Sequence, residues 1–312
     1  MSRTFALRSV RKSLSWIVCL AIASLALSGA ATPASAATDG PTVTIIADFN
    51  TTLQPGDWQG WWISRPSLKC AYVVEVTPLQ PSVDGATIEK AIVQAEYDGA
   101  QWNDVLRVII PAGNPALDVN IRVYRLTGFP IVKEIVTILQ PGEWRSFIVG
   151  PSPRERGYLS EISPIGSSIW SPIDLFQVRF NGERWRDVLR VQLPVYNPTA
   201  LEVNIRVYRT ARLPVVSEFT AKLEPGVWHG WALGPSSANG AFIPEISPLR
   251  SSVEGARIER HVVQPEFDGV QWNDVLRVQI PAGDPALKVN IRLYGLTPPT
   301  TGIEMRPLEV AP

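Results

Sequence analysis

Apolar and polar residues alternate with a period of two along short runs of this chain, the mark of strands with one buried face. In Val119–Tyr124, the apolar Val119, Ile121 and Val123 alternate with Asn120, Arg122 and Tyr124. Turn residues punctuate these runs. Asp98-Gly99, Asn181-Gly182 and Asp268-Gly269 each lie between two β-rich segments, a strong short-range hairpin signal. Pro141-Gly142 ends the run Ile131–Leu139 and returns it as Trp144–Val149. Beyond the N-terminal segment no window of about eleven residues carries a helical stripe. The pattern predicts an all-β chain.

The strands come in a repeating order. LQPGDW at Leu53–Trp58 returns as LQPGEW at Leu139–Trp144 and LEPGVW at Leu223–Trp228. WNDVLRV at Trp102–Val108 returns as WRDVLRV at Trp185–Val191 and WNDVLRV at Trp272–Val278. EVTPL at Glu75–Leu79 becomes EISPI and EISPL, and VNIRVY at Val119–Tyr124 recurs at Val203–Tyr208 and, as VNIRLY, at Val289–Tyr294. Leu53–Tyr124 aligns with Leu223–Tyr294 without a gap, at a constant offset of 170. Such a period implies tandem units of about 85 residues, each burying its hydrophobic face with the help of its neighbours. The expected organisation is three β-sandwich-like units over 42–128, 129–212 and 213–298, with a Pro-rich tail over 299–312 that ends in a short strand or frays. No flexible tether separates the units, so a stiff array or a pseudo-threefold body is expected.

Residues 1–36 stand apart. Arg3, Arg8, Arg11 and Lys12 precede an apolar run from Leu14 to about Leu27, and Ala34-Ser35-Ala36 supplies small residues for cleavage. This is the layout of a secretory signal peptide, and its apolar run is short of the ~20 residues of a membrane span. Removing it takes four basic side chains and no acidic ones, so 29 against 29 becomes 25 against 29, a net charge of −4. That balance disfavours a nucleic-acid partner. Cys70 is then the single cysteine, so no internal disulfide is expected, and a secreted or cell-envelope location follows from the signal.

Only His229 and His261 remain as histidines, which leaves little for acid–base chemistry or multi-histidine metal sites. Glu96 with Asp98, and Glu266 with Asp268, have oxygen donors suited to calcium, but Arg179 and Asn181 break the pattern in the second stretch. Glu75, Glu161 and Glu245 recur in near-equal settings, whereas a glycosidase needs two carboxylates in unlike ones. No cofactor, metal site or catalytic set is therefore expected.

The recurrent side chains that fit binding are Trp102, Trp185 and Trp272, with Asp104, Asp187, Asp274, Asn120, Asn204 and Asn290. An indole covers the apolar face of a sugar ring while carboxylate and amide groups take its hydroxyls. The plain reading sets the tryptophans in the core and pairs Asp104 with Arg122 or Asn120 across strands. Trp61, Trp62 and Trp231 have Phe147 and Ile148 at the matching places of the second stretch, which leaves two readings for the other two, a cap on the sheet under a loop, slightly favoured, or an exposed aromatic edge. The expected function is non-catalytic, multivalent binding of a carbohydrate or another cell-surface polymer. A structural or adhesive envelope protein is the alternative, and a hydrolase a distant third.

Overall fold

The computed structural model describes residues 40–296, except for 65–68, 84, 89, 99, 153–156, 166–171, 211–212 and 237–239, together with residues 306–308. The proposed signal segment lies outside the described residues. Every described element is a strand. The first six are β1 (Thr42–Leu53), β2 (Gln59–Ser64), β3 (Cys70–Pro78), β4 (Lys90–Tyr97), β5 (Trp102–Ile109) and β6 (Leu117–Thr127). Then come β7 (Ile131–Leu139), β8 (Trp144–Pro151), β9 (Tyr158–Pro164), β10 (Ile173–Phe180), β11 (Trp185–Gln192) and β12 (Leu201–Arg209). The last are β13 (Val215–Leu223), β14 (Trp228–Pro235), β15 (Phe242–Pro248), β16 (Arg257–Ile258), β17 (Arg260–Phe267), β18 (Trp272–Gln279), β19 (Leu287–Gly295) and β20 (Arg306–Leu308).

They form six small antiparallel sheets. Three share one strand order, β1-β6-β3, β7-β12-β9 and β13-β19-β15. The other three are β2-β5-β4, β8-β11-β10-β16 and β20-β14-β18-β17. The VNIR strands β6, β12 and β19 are each central in the first kind of sheet, and the W-x-D-V-L-R-V strands β5, β11 and β18 in the second. Alternation explains what meets between the two kinds. Val119, Ile121 and Val123 of β6 pack against Leu106 and Val108 of β5, all at or near zero exposure. Burying such side chains contributes roughly 1.5–3 kcal/mol each. Cys70 is buried and free of any disulfide.

The Leu-x-Pro-Gly-x-Trp turns take the same shape each time. Leu53, Leu139 and Leu223 are buried strand ends opposite Leu117, Leu201 and Leu287. Gly56, Gly142 and Gly226 follow with φ of 84°, 76° and 76°, and their amides bond the carbonyls of Ile110, Leu193 and Ile280. Glycine is needed there, because that backbone region is costly for other residues and a Cβ at Gly226 would sit 3.0 Å from the Ala282 side chain.

Neighbouring stretches are joined by backbone and by tryptophan. β10 is extended by β16, with Val178 opposite Ile258 and Arg179 opposite Arg257. In the same manner the Phe267 amide bonds Ala86 O, and Thr87 bridges Glu266. Val178, Phe180 and Trp185 belong to the core formed with Leu276, Val289 and Ile291, and Phe267 and Trp272 to the core formed with Leu106 and Ile121. Trp102 packs on the cluster of Leu139, Leu189 and Ile205. The contacts thus run from first to second, second to third and third back to first. A fourth cluster gathers Tyr124, Tyr208 and Tyr294 with Ala71, Leu126, Ala241 and Ile243. At the tail, β20 falls within the expected short strand and extends the edge of β14.

Candidate functional site: outward faces of the tryptophan-turn sheets

The structure places most of the tryptophans chosen from sequence inside. Trp185 and Trp272 are 4% and 8% exposed, and their indole nitrogens donate to Arg250 O at 2.6 Å and Gln80 O at 2.8 Å on the following stretch. Phe180 and Phe267 tilt against them with centroids 5.3 and 5.6 Å apart. Trp102 is half-buried in the matching position. Trp185 and Trp272 lie between successive stretches of the chain and have little surface left for a ligand. The reading of an exposed aromatic edge is corrected in the same way. Trp231 is buried and Trp61 half-buried, packed on Phe219 and Phe49 at centroid distances of 5.5 Å. Adjacent residues in a strand point to opposite faces. Trp61 therefore turns inward while Trp62, at 63% exposure, faces solvent.

The recurrent polar residues are similarly committed. The expected bond from Asp104 to Arg122 or Asn120 does not form, because β5 and β6 belong to different sheets. Asp104 accepts from the Tyr72 hydroxyl at 2.6 Å. Asn120, Asn204 and Asn290 donate to Asp48, Glu134 and Glu218 at 2.8, 2.9 and 2.7 Å. Arg122, Arg206 and Arg292 reach the same three carboxylates at 3.1, 2.7 and 2.9 Å. The Asn and Arg donors hold Asp48, Glu134 and Glu218 below the usual carboxylate range. Glu75, Glu161 and Glu245 take the hydroxyls of Tyr124, Tyr208 and Tyr294. Burial, reinforced by these carboxylates, raises the pKa of Tyr124 and Tyr208. Each set ties two strands of one sheet together.

Asp187 and Asp274 lie against their neighbours. Burial pushes both up to about 7, a nearby serine hydroxyl (Ser152 or Ser236) opposes this, and the negative charge of Glu245 or Glu75 adds to the rise. In each case the facing glutamate belongs to the following stretch.

What remains outward is a set that sequence reasoning passed over. On the face of β17 and β18, Gln264 Nε2 donates to Glu266 Oε1 at 2.9 Å. Arg277 Nε donates to the same oxygen at 2.8 Å, and its Nη2 pairs with Oε2. Gln94, Glu96 and Arg107 repeat the arrangement at 2.8, 2.6 and 2.6 Å. Burial pushes Glu96 up, but the Arg107 and Gln94 hydrogen bonds outweigh it and hold its carboxyl low. Gly60 and Gly230 make room, since a Cβ on either would meet the arginine guanidinium at 2.5 or 2.6 Å. The clue was present in the chain: glycine and glutamate change together while the arginine stays, as Gly60/Glu96/Arg107 and Gly230/Glu266/Arg277 against Ser146/Arg179/Arg190. Their spread over three separate strands of the sequence, as in β2, β4 and β5, hid it.

A groove of about 390 Å³ runs over the triad of the third stretch, lined by Trp228, Gln264, Glu266 and Arg277 and by Gly85 and Thr87 of the first stretch. Trp58 holds the corresponding turn position in the first stretch and is 47% exposed. A flat indole beside an amide, a carboxylate and a guanidinium suits a polyhydroxylated ring, whose apolar face stacks while its hydroxyls bond. A separate cavity of about 370 Å³ is walled by strands from all three stretches, among them Ser160, Asp174 and His261. Ser160 donates to Asp174 there, and burial pushes His261 down to about 4, so it is neutral at pH 7. Among the described residues no group of three or more His, Cys, Asp or Glu is arranged to hold a metal ion.

Fold and site together define a class: an all-β body of small antiparallel sheets with aromatic and polar groups on its outward faces. No protein-family model matches the chain, and none of the curated proteins or solved structures matches it.

Proposed function

We propose that this chain is an exported, non-catalytic binding protein whose three units close on one another and present carbohydrate sites on their outward sheets. The observation that supports it is the groove in which Trp228 stands beside Gln264, Glu266 and Arg277. The ligand of choice is a cell-surface or extracellular polysaccharide. Repeated faces on one stiff body would gain affinity for a polymer by multivalency, on the order of 10²-fold over a single site. The recurrent Trp102, Trp185 and Trp272 serve as joints in this reading, not as sugar platforms. The second reading is a purely structural or adhesive envelope protein, favoured by the way those three indoles are consumed between units.

The test is a calorimetric titration of the purified chain with neutral oligosaccharides at millimolar concentration, repeated with Trp228→Ala and Trp58→Ala. Binding that weakens at least tenfold in Trp228→Ala, with unchanged far-ultraviolet circular dichroism, supports the carbohydrate reading. Absence of heat with every saccharide would favour the structural one.

A further inference from the structure

The second stretch breaks the outward pattern in a specific way. Gln177, Arg179 and Arg190 stand where Gln94, Glu96 and Arg107, and Gln264, Glu266 and Arg277, stand elsewhere. Arg186 replaces Asn103 and Asn273, and lies directly opposite Arg179. On the other side of Arg179 is Arg257, where Glu266 is faced by Thr87. The places that hold Glu, Asn and Arg with no net charge in two stretches thus hold three arginines in the second, and a fourth beside them.

The rest of the old triad is left without its carboxylate. Gln177 is 1% exposed, and among the described residues neither its Nε2 nor its Oε1 has a hydrogen-bond partner. The Nε atoms of Arg186 and Arg190 are buried and unpartnered as well. Arg190 Cζ lies over the Trp144 ring, 4.6 Å from its centroid, a cation–π contact that helps hold the guanidinium in place. Burial, then the charges of Arg179 and Arg257, weaken its hold on its proton, while Glu259 acts the other way. None of the four arginines forms an ion pair among the described residues.

We propose that this face binds the carboxylate of an acidic saccharide, such as a uronate, in the place that Glu96 and Glu266 fill from within the chain. The two intact triads give the geometry. One carboxylate oxygen accepts from the glutamine Nε2 and the arginine Nε, and the other accepts from the arginine Nη2. Planar two-oxygen recognition of this kind is what a guanidinium does best. The saccharide part of the assignment rests on the carbohydrate reading above. The demand for an anion rests on Gln177 and the arginines alone.

The experiment is calorimetric titration of the purified chain with trigalacturonic acid, galactotriose, sulfate and triglutamate, at 20 and 200 mM salt. Arg179→Glu combined with Ser146→Gly is the decisive variant, because together they restore the Gly–Glu–Arg set seen in the other stretches. It should raise the melting temperature and weaken trigalacturonate binding at least tenfold, while leaving the Trp228 groove untouched. Trigalacturonate bound at least tenfold more tightly than galactotriose, with affinity falling as salt rises, supports the proposal. Equal affinity for the neutral and acidic sugars would overturn it and leave the carbohydrate reading intact. Binding of sulfate or triglutamate without trigalacturonate would overturn the saccharide assignment, and no binding of any anion would overturn the site itself.

Discussion

Asp274 offers the sharpest handle on how strands from different stretches of the chain are held together. It is 8% exposed, and burial pushes it up to about 7, against an ordinary value of 3.8, with the facing Glu75 adding to the rise. A raised acid keeps its proton in the folded state at pH values where the unfolded chain has released it. Folding is therefore unpenalised at this position below about pH 4, and stability is lost as pH rises from there to about 7. At roughly 1.4 kcal/mol per pH unit over about three units, the full penalty is on the order of 2–4 kcal/mol above pH 7. Asp274→Asn removes the titration while keeping the shape of the side chain. The expected outcome is no gain at pH 4.5 and a gain on the order of 2–4 kcal/mol at pH 8, read as a shift in urea midpoint at constant slope. Taking the difference between variant and parent at each pH cancels His261, whose depressed value works in the opposite direction between about 4 and 6.5. A difference that does not change with pH, or an asparagine variant less stable at pH 8, would refute the reasoning.

Three other perturbations follow from the same contacts. Trp272→Ala, and separately Trp185→Ala, should each cost about 3–5 kcal/mol in urea unfolding, because each empties a core shared with the next stretch and leaves a carbonyl without its donor. Tyr294→Phe should cost about 1–3 kcal/mol in urea unfolding by removing the hydroxyl 2.6 Å from buried Glu245. Glu266→Gln should lower the melting temperature by leaving Arg277 without its carboxylate, and acetate at high concentration should restore part of the loss.

Much of the all-β fold was legible because the same strand and turn motifs recur along the sequence. The Pro-Gly and [DN]-G turns, the alternation in VNIRVY and the burial of the hairpin tryptophans all follow from local rules. Strand partnership was not legible. Asp104 and Arg122 are well matched by chemistry, but β5 and β6 are consecutive strands that go to different sheets, and periodicity says nothing about that choice. Trp61 and Trp62 show the same gap at closer range. Neighbours in a strand must point apart, so one of the pair had to face inward, yet only the sheet-on-sheet packing decides which. The outward Gln–Glu–Arg triads escaped because Glu96 and Arg107 sit on opposite arms of a hairpin, four rows apart in register, and meet only through the length of the arginine side chain.

Hydroxyl-radical footprinting of the tryptophans, read by mass spectrometry with and without a bound oligosaccharide, tests the division between joints and faces. In the free protein Trp58 and Trp62 should oxidise readily while Trp185, Trp231 and Trp272 stay protected, and ligand should shield Trp58 and Trp228. Oxidation of Trp185 and Trp272 as fast as Trp62, or shielding of those two by the sugar, would contradict the account.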